Sequence, residues 1–250
     1  MKVLITGASS GIGYQMAKYL SDLGHDLILV SRDKEKLQKM QENIKTDVKI
    51  IVADLSLENK VKEVYVLCKN ENIDILINNA GFGDFGKFDE TDLSKELNMI
   101  DLNIKAVHIL TKLFLKDMKK RNSGYILNVA SSAAFVPGPL MATYYSTKAY
   151  VLRLTTSISE ELRRDKSNVV ISCLCPGPVD TNFNKVANVK FSVKPLTSEF
   201  VAKYAIDEMF NKKLVIVPGF KMKCAYFFER FLSTKSLAKI TYNIQKKKTK

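Results

Sequence analysis

The sequence of 250 residues has no tryptophan, two histidines and four cysteines: Cys68, Cys173, Cys175 and Cys224. No two of these cysteines form a C-x-x-C pair, and two histidines are too few for a convincing metal cluster. Cys173 and Cys175 stand two apart in an apolar run, where small core residues would share one face of a strand. We therefore expect a reduced, cytoplasmic protein without a metal.

Long hydrophobic runs are also missing. No apolar run reaches the roughly 18 residues of a membrane span, and the lysine-rich end is the one low-complexity segment. A strand pattern begins at Lys2 and a glycine-rich turn follows at Gly7, so we expect no signal peptide and a mature chain that starts at Met1. Because 46% of the residues are hydrophobic, one large core is possible, and a single domain over residues 1–250 is predicted.

Acidic residues are scarce at one end of the chain only. The net charge is +13, yet residues 1–210 carry 28 bases and 25 acids, whereas residues 211–250 carry eleven bases and one acid, Glu229. Residues 219–250 form a basic amphipathic extension, called the tail below. Three interpretations stay open: packing on the chain's own core, packing on a twin subunit in a homo-oligomer, or peripheral contact with a membrane. A nucleic-acid partner is not expected.

Apolar stretches alternate with segments of helical period. The predicted strands are Lys2–Thr6, Asp26–Val30, Val48–Val52, Ile73–Ile77, Gly124–Val129, Val169–Cys175 and Leu214–Val217. The predicted helices are Gly11–Leu23, Asp33–Ile44, Ser56–Asn70, Leu93–Arg121 and Thr143–Arg164. This alternation predicts an α/β fold: a doubly wound, Rossmann-like parallel sheet of about seven strands, with helices on both faces and ligands at the carboxyl ends of the strands.

The turn after the first strand indicates a phosphate-binding loop. Glycines allow close approach of a pyrophosphate, and the N-terminus of the next helix favours negative charge. The spacing G-x-x-x-G-x-G departs from the usual G-x-G-x-x-G, so a simple tight turn is the alternative. The candidate cofactor residues in this loop are Gly7, Ser9, Ser10, Gly11, Ile12 and Gly13.

The residues after the second and third strands concern the choice of cofactor. Ser31 and Arg32 stand where NAD would need a carboxylate and NADP a cation, so NADP is favoured over NAD. Asp33 could still bind the ribose, although it also opens a helix, where an acid is locally stabilising. Asp54 and Leu55 follow the third strand; Asp54 could contact the adenine or cap a helix.

Tyr144 and Lys148 lie four apart at the start of a predicted helix and so share one face. An adjacent ammonium, together with a positive nicotinamide ring, would favour the ionised phenol and lower its pKa toward neutral pH. Such a phenol can give a proton to a forming alkoxide or take one from an alcohol. A solvated lysine beside a half-buried tyrosine is the alternative.

Five motifs follow one another in order: Thr6-Gly7-x-x-x-Gly11-x-Gly13, Asn78-Asn79-Ala80-Gly81, Asn128-Val129-Ala130-Ser131, Tyr144-x-x-x-Lys148 and Pro176-Gly177. The chain thereby resembles the short-chain dehydrogenase/reductase family over most of its length. The resemblance implies an NAD(P)-dependent oxidoreductase that interconverts ketones and secondary alcohols. It implies that Tyr144 transfers the proton, Lys148 holds the nicotinamide ribose and lowers the phenol pKa, and Ser131 polarises the carbonyl, with Ser132 as competitor.

The same resemblance implies several supporting roles. Asn103 matches an asparagine in a water-mediated proton relay, and its alternative is a buried polar residue that satisfies the local backbone. The loop after the fourth strand would cover the adenosine, and residues after the sixth strand would orient the nicotinamide; these are Asn79, Ala80, Gly81, Pro176, Gly177, Val179 and Thr181.

The substrate end is predicted to be apolar. Residues 178–195 are irregular, with Phe183, Val186, Val189 and Phe191 among polar residues, and indicate either a lid or an ordinary loop. The opposite wall would contain Phe135, Pro137, Leu140, Met141 and Tyr145. A small apolar carbonyl or alcohol, such as a steroid-like or acyl-chain ketone, is the expected substrate. The alternative function is a non-catalytic NADP sensor or interaction protein.

Overall fold

The computed structural model describes residues 1–181 and 195–247. Its strands are β1 (Lys2–Thr6), β2 (Asp26–Ser31), β3 (Val48–Val52), β4 (Ile75–Asn78), β5 (Tyr125–Val129), β6 (Val170–Leu174), β7 (Val179–Asp180), β8 (Leu196–Thr197) and β9 (Val215–Ile216). Seven of them form one parallel sheet in the order β3-β2-β1-β4-β5-β6-β9, and β7 pairs with β8. The order reverses between β1 and β4, which is where a ligand crevice opens in such sheets.

Helices cover both faces of the sheet. They are α1 (Gly11–Asp22), α2 (Lys34–Asn43), α3 (Glu58–Cys68), α4 (Leu93–Ile100), α5 (Val107–Arg121), α6 (Ala142–Arg164), α7 (Ser198–Phe210), α8 (Phe220–Phe228) and α9 (Thr234–Lys246). Because successive strand side chains point to opposite faces, Ile5 packs with Met16 of α1 in one layer, whereas Leu4 packs with Phe114 of α5 in the other. The predicted doubly wound, Rossmann-like fold is confirmed.

One predicted helix is in fact three elements. The segment predicted as a single helix over 93–121 consists of α4, a π-helical turn at Asp101–Ala106, and α5. A π turn inserts one extra residue into the helical repeat, and such turns are frequent at functional sites. This one contains Asn103, which is fully buried.

Two further differences concern helices α3 and α7. Helix α3 begins at Glu58 instead of Ser56, because Asp54 Oδ1 accepts hydrogen bonds from the backbone N–H and the hydroxyl of Ser56 at 3.0 and 2.8 Å and holds a turn there. Helix α7 was missing from the predicted elements. Its N-cap Thr197 accepts a bond from the N–H of Phe200 at 3.2 Å, a local start signal that the sequence carries.

The described part of the tail folds back on the body. A 3-10 turn at Glu229–Phe231 joins α8 to the last helix, and Tyr226 packs on Phe135 with ring centroids 4.2 Å apart. On α9, the fully buried Gln245 donates a hydrogen bond to the Tyr145 hydroxyl. The structure thus has the tail packed on its own core. Among the helices of residues 1–181 and 195–247, none has the length and hydropathy of a membrane span.

Candidate active site

A cleft of about 810 Å³ opens at the carboxyl ends of the strands. This volume lies within the range of roughly 300–1,000 Å³ that small-molecule sites occupy. The structure brings the following predicted residues together in its wall: Gly7, Ser9, Ser10, Gly11, Ile12, Ser31, Arg32, Asp54, Leu55, Asn79, Ala80, Gly81, Ser131, Tyr144, Lys148, Pro176, Gly177, Val179 and Thr181. Gly13 and Asn103 lie behind the wall instead of lining it.

Two glycines of the loop leave no space for a Cβ atom. Gly7 has a φ of +64°, and a Cβ there would lie 2.8 Å from the Cα of Ala80. A Cβ on Gly13 would lie 2.4 Å from Asn79 Nδ2 and 2.5 Å from the carbonyl oxygen of Gly7. The third glycine is therefore required by the packing of the first helical turn against the loop after β4.

Hydrogen bonds join this loop to the end of β4. The Asn79 side-chain amide donates to the carbonyl oxygens of Thr6 and Gly7 at 3.1 and 3.0 Å. The Thr6 hydroxyl in turn accepts from the backbone N–H groups of Asn79 and Ala80 at 3.0 and 3.1 Å. Sequence reasoning did not count Thr6 among the site residues, although its position directly before Gly7 was a signal. Thr6 fixes the relative position of two cofactor-facing loops.

The start of α1 can receive an anion. Its N-cap, Ser10, makes no side-chain capping bond, and the first turn of this 12-residue helix has no acidic residue. The turn itself thus has no carboxylate that would compete with an anion for its amide groups, and the helix dipole adds positive potential there. The hydroxyls of Ser9 and Ser31 lie 2.7 Å apart, which links the loop to the end of β2. The chain's own groups fit the pyrophosphate of a dinucleotide.

Asp33 and Arg32, which follow β2, have different surroundings. The Asp33 carboxylate accepts bonds from the backbone N–H and the Nζ of Lys36 at 3.1 and 2.6 Å, so it caps α2. These bonds lower the pKa of Asp33. Arg32 Nη1 lies 3.7 Å from Asp54 Oδ2, and both of these residues line the cleft. Of the two predicted roles of Asp33, ribose binding and stabilisation of a helix start, the structure shows the second.

Tyr144 and Lys148 lie one turn apart on α6 and are 8% and 5% exposed. Ser131, at the end of β5, hydrogen-bonds the Tyr144 phenol. Lys148 Nζ donates to the carbonyl oxygen of Val129 at 2.9 Å and lies 5.9 Å from the centroid of the Tyr144 ring. The competing Ser132 also lines the cleft, and its backbone N–H donates to the carbonyl oxygen of Pro176 at 2.8 Å.

Burial dominates the titration of this cluster. It raises the pKa of Tyr144 above its usual value, and the hydrogen bond from Ser131 opposes that rise only in part. Burial also lowers the pKa of Lys148 to about 8. The predicted lowering of the phenol pKa involves Lys148 together with a bound, positively charged nicotinamide ring, and it stays a prediction. The spacing of the two residues in the sequence indicates that Lys148 lies near Tyr144, but it does not indicate that both side chains are buried away from water.

Asn103 joins three elements behind the catalytic cluster. Its Oδ1 accepts from the backbone N–H of Phe82 at 3.1 Å, and its Nδ2 donates to the carbonyl oxygen of Phe82 and to Thr147 Oγ1 at 2.9 and 3.1 Å. Thr147 lies between Tyr144 and Lys148 on α6. The structure thus shows the backbone-satisfying role of Asn103, while its part in a proton relay stays a prediction.

The substrate end of the cleft is apolar, as Phe135, Met141 and Tyr145 line it. Pro137 and Leu140 were predicted there but are not in its wall. They precede α6 in a tight turn, in which Leu140 has a φ of +66° and the Met141 N–H donates to the Gly138 carbonyl oxygen at 3.0 Å. The predicted lid residues Phe183, Val186, Val189 and Phe191 lie outside the described residues.

The tail completes this end of the cleft. Its lining residues are Met222, Ala225, Tyr226, Phe228, Glu229, Leu232, Leu237, Ile240, Thr241 and Ile244. Sequence reasoning did not identify these as site residues, because their apolar spacing is the same whether the tail covers a pocket, a subunit or a membrane. Glu229 is the one acid that the sequence places in this segment, and burial raises its pKa to about 7.

Comparison with known proteins identifies the family. The model of the short chain dehydrogenase family matches residues 1–190. The chain is 34% identical over 180 residues to an uncharacterized oxidoreductase of Staphylococcus epidermidis, covering 71% of this chain and 77% of that protein. It is 35% identical over 195 residues to mouse 17-beta-hydroxysteroid dehydrogenase type 3, covering 76% and 63%.

Solved structures agree with this assignment. A short-chain dehydrogenase from Sphingobium yanoikuyae in complex with NADPH superimposes with a TM-score of 0.84 at 28% identity, covering 92% of each chain. The matched region contains the glycine loop and the Ser131, Tyr144 and Lys148 cluster. The chain therefore belongs to the short-chain dehydrogenase/reductase family and is an NAD(P)-dependent oxidoreductase.

Proposed function

We propose that this enzyme uses NADPH to reduce an apolar ketone to a secondary alcohol, with Tyr144 as the proton donor. The observation that carries the proposal is the buried, hydrogen-bonded cluster of Ser131, Tyr144 and Lys148, which lies in one cleft between the glycine loop and an apolar wall. A protein that only senses a dinucleotide needs the loop but not this cluster.

The cleft wall fits a dinucleotide. Backbone groups of the loop from Gly7 to Gly13 and the start of α1 would hold the pyrophosphate, and Lys148 would hold the nicotinamide ribose. Arg32 favours NADP, since it lines the cleft while Asp33 caps α2. The related short-chain dehydrogenase from Sphingobium yanoikuyae was solved with NADPH. When bound, the cofactor supplies the hydride for the carbonyl carbon.

Each residue of the cluster has a distinct role. Tyr144 gives its proton to the carbonyl oxygen as negative charge develops there. Ser131 donates a hydrogen bond to the same oxygen and polarises the carbonyl. Its bond to Tyr144 supports Ser131 over Ser132 in this role. Asn103 fixes α6 relative to the loop at Phe82, and we propose it for the proton relay.

The apolar wall supports a bulky apolar substrate, and a related protein is a hydroxysteroid dehydrogenase. We further propose a cytoplasmic homo-oligomer in which residues 1–250 act as one domain, with the tail closing the substrate end. Phe88, Ile100 and Tyr150 line one pocket beside α4 and α6 and are 71%, 36% and 37% exposed, which supports subunit contact.

The test is a spectrophotometric assay of NADPH oxidation with apolar ketones of increasing size, including a steroid ketone and a long-chain acyl ketone. We expect turnover with several of them and none with small charged keto acids. Tight NADPH binding without turnover of any ketone would favour the alternative of a cofactor sensor.

A further inference from the structure

Three phenylalanines of the tail form an exposed cluster. Phe227, Phe228 and Phe231 are 54%, 62% and 73% exposed. The ring of Phe227 lies edge-on to both of the others, with centroids 5.4 and 5.6 Å away. Single exposed apolar residues are common on any protein, but a contiguous group of aromatic rings in water marks an interaction surface. We call these three residues the aromatic cluster.

The tail that carries the aromatic cluster is also rich in exposed cations. Lys221, Lys223 and Arg230 come from the same segment, Lys235 and Lys239 follow on α9, and all five are exposed. Residues 211–250 contain eleven bases and a single acid. That acid is Glu229, which lines the cleft. A partner that suits this surface combines negative charge with an apolar phase.

The cleft opens next to the same surface. Phe228 belongs both to the aromatic cluster and to the cleft wall, and Leu232, Ile240 and Ile244 line the cleft although they are 45%, 45% and 49% exposed. On α9 the polar Gln245 is fully buried while Ile244 beside it is half exposed. This reverses the polarity of an ordinary surface helix. An apolar path therefore connects the outer surface with the interior of the cleft.

We propose that the tail docks the enzyme on an anionic bilayer, with the aromatic cluster in the interfacial zone and the lysines on the headgroups, so that an apolar ketone enters the cleft from the lipid. Only the entry of the ketone rests on the proposed function; the docking does not. Aromatic rings and lysines are the residues that anchor proteins at this interface. A second copy on the same surface would bring like charges together.

The docking can be tested by flotation of the full-length protein with two kinds of vesicle: phosphatidylcholine alone, and phosphatidylcholine containing about one third phosphatidylglycerol. We expect partition on the order of 100-fold stronger into the anionic vesicles at low salt, and release at high salt. Phe227→Ser combined with Phe231→Ser should weaken the partition at least about tenfold. Neither residue lines the cleft, so reduction of a water-soluble ketone should not change.

The matched control is Val66→Ser, since Val66 lies on α3 and is 56% exposed. It should bind vesicles like the wild type. The proposal is overturned if the wild type ignores anionic vesicles, if Val66→Ser loses as much binding, or if the double variant instead dissociates a dimer in light scattering. Vesicle binding without reduction of any ketone would leave the docking standing and refute the proposed function. Ketone reduction in water without vesicle binding would refute the docking alone.

Discussion

Replacing Arg32 by alanine removes the guanidinium that would pair with the 2′-phosphate of NADP. Charge-assisted hydrogen bonds contribute about 1.5–3 kcal/mol, and about 1.4 kcal/mol corresponds to a factor of ten in affinity. Two features place the expected loss of binding free energy at the lower end of this range. The Arg32 side chain is 67% exposed and so strongly screened, and Asp54 lies 3.7 Å away and repels a phosphate. We expect NADPH to bind about tenfold more weakly to Arg32→Ala, with NADH nearly unchanged.

The assay is a fluorescence titration of both variants with both cofactors. Arg163→Ala is the matched control, because Arg163 is 66% exposed and also pairs with a carboxylate, that of Glu160, but lies at the far end of α6. It should leave both affinities as they are. Tighter binding of NADH than NADPH by the wild type, or equal losses of both cofactors in Arg32→Ala, would refute the reasoning.

Two more predictions concern the catalytic cluster. Ser131→Ala should lower kcat far more than Ser132→Ala, because Ser131 carries the bond to Tyr144; matched kinetics with the reverse ranking would transfer the role to Ser132. Lys148→Met should stabilise the apoprotein at pH 7, since the folded-state pKa of about 8 lies below the unfolded value of 10.5 and a buried charge is lost. In the wild type this group makes the free energy of unfolding rise with pH between 8 and 10.5, by up to about 3 kcal/mol. Urea unfolding at several pH values should show a smaller rise of the free energy of unfolding in the variant. An equal rise between pH 8 and 10.5 in both proteins would contradict this prediction.

The sheet was predictable because its signal is local. The central strands are largely apolar and buried, as Ile75, Leu76 and Ile77 of β4 are, and periodic helices separate the strands, so the pattern itself specifies a sheet covered on both faces. The π turn at Asp101–Ala106 was not predictable in the same way. One inserted residue leaves an apolar helical pattern almost unchanged over the 29 residues from 93 to 121, and only packing against Phe82 and α6 shows where it lies.

The candidate site also combines features that the sequence could predict with features that it could not. Motif spacing brought the cofactor residues to one cleft, since the carboxyl ends of parallel strands meet there. The burial of each site residue and its hydrogen-bond partners depend on distant parts of the chain. The raised pKa of Tyr144 and the bond from Gln245 to Tyr145, 100 residues apart, both come from packing that no local pattern specifies. The same holds for Glu229 in the cleft wall.

The most direct test of the central claim is single-turnover reduction of an apolar ketone by Tyr144→Phe, with NADPH binding measured on the same sample. The substitution keeps the ring, which is buried beside Ser131, and removes only the hydroxyl that donates the proton. We predict a loss in rate of at least about 100- to 1,000-fold, with NADPH affinity unchanged within a few-fold. A rate near that of the wild type would show that Tyr144 is not the proton donor and would contradict the mechanism.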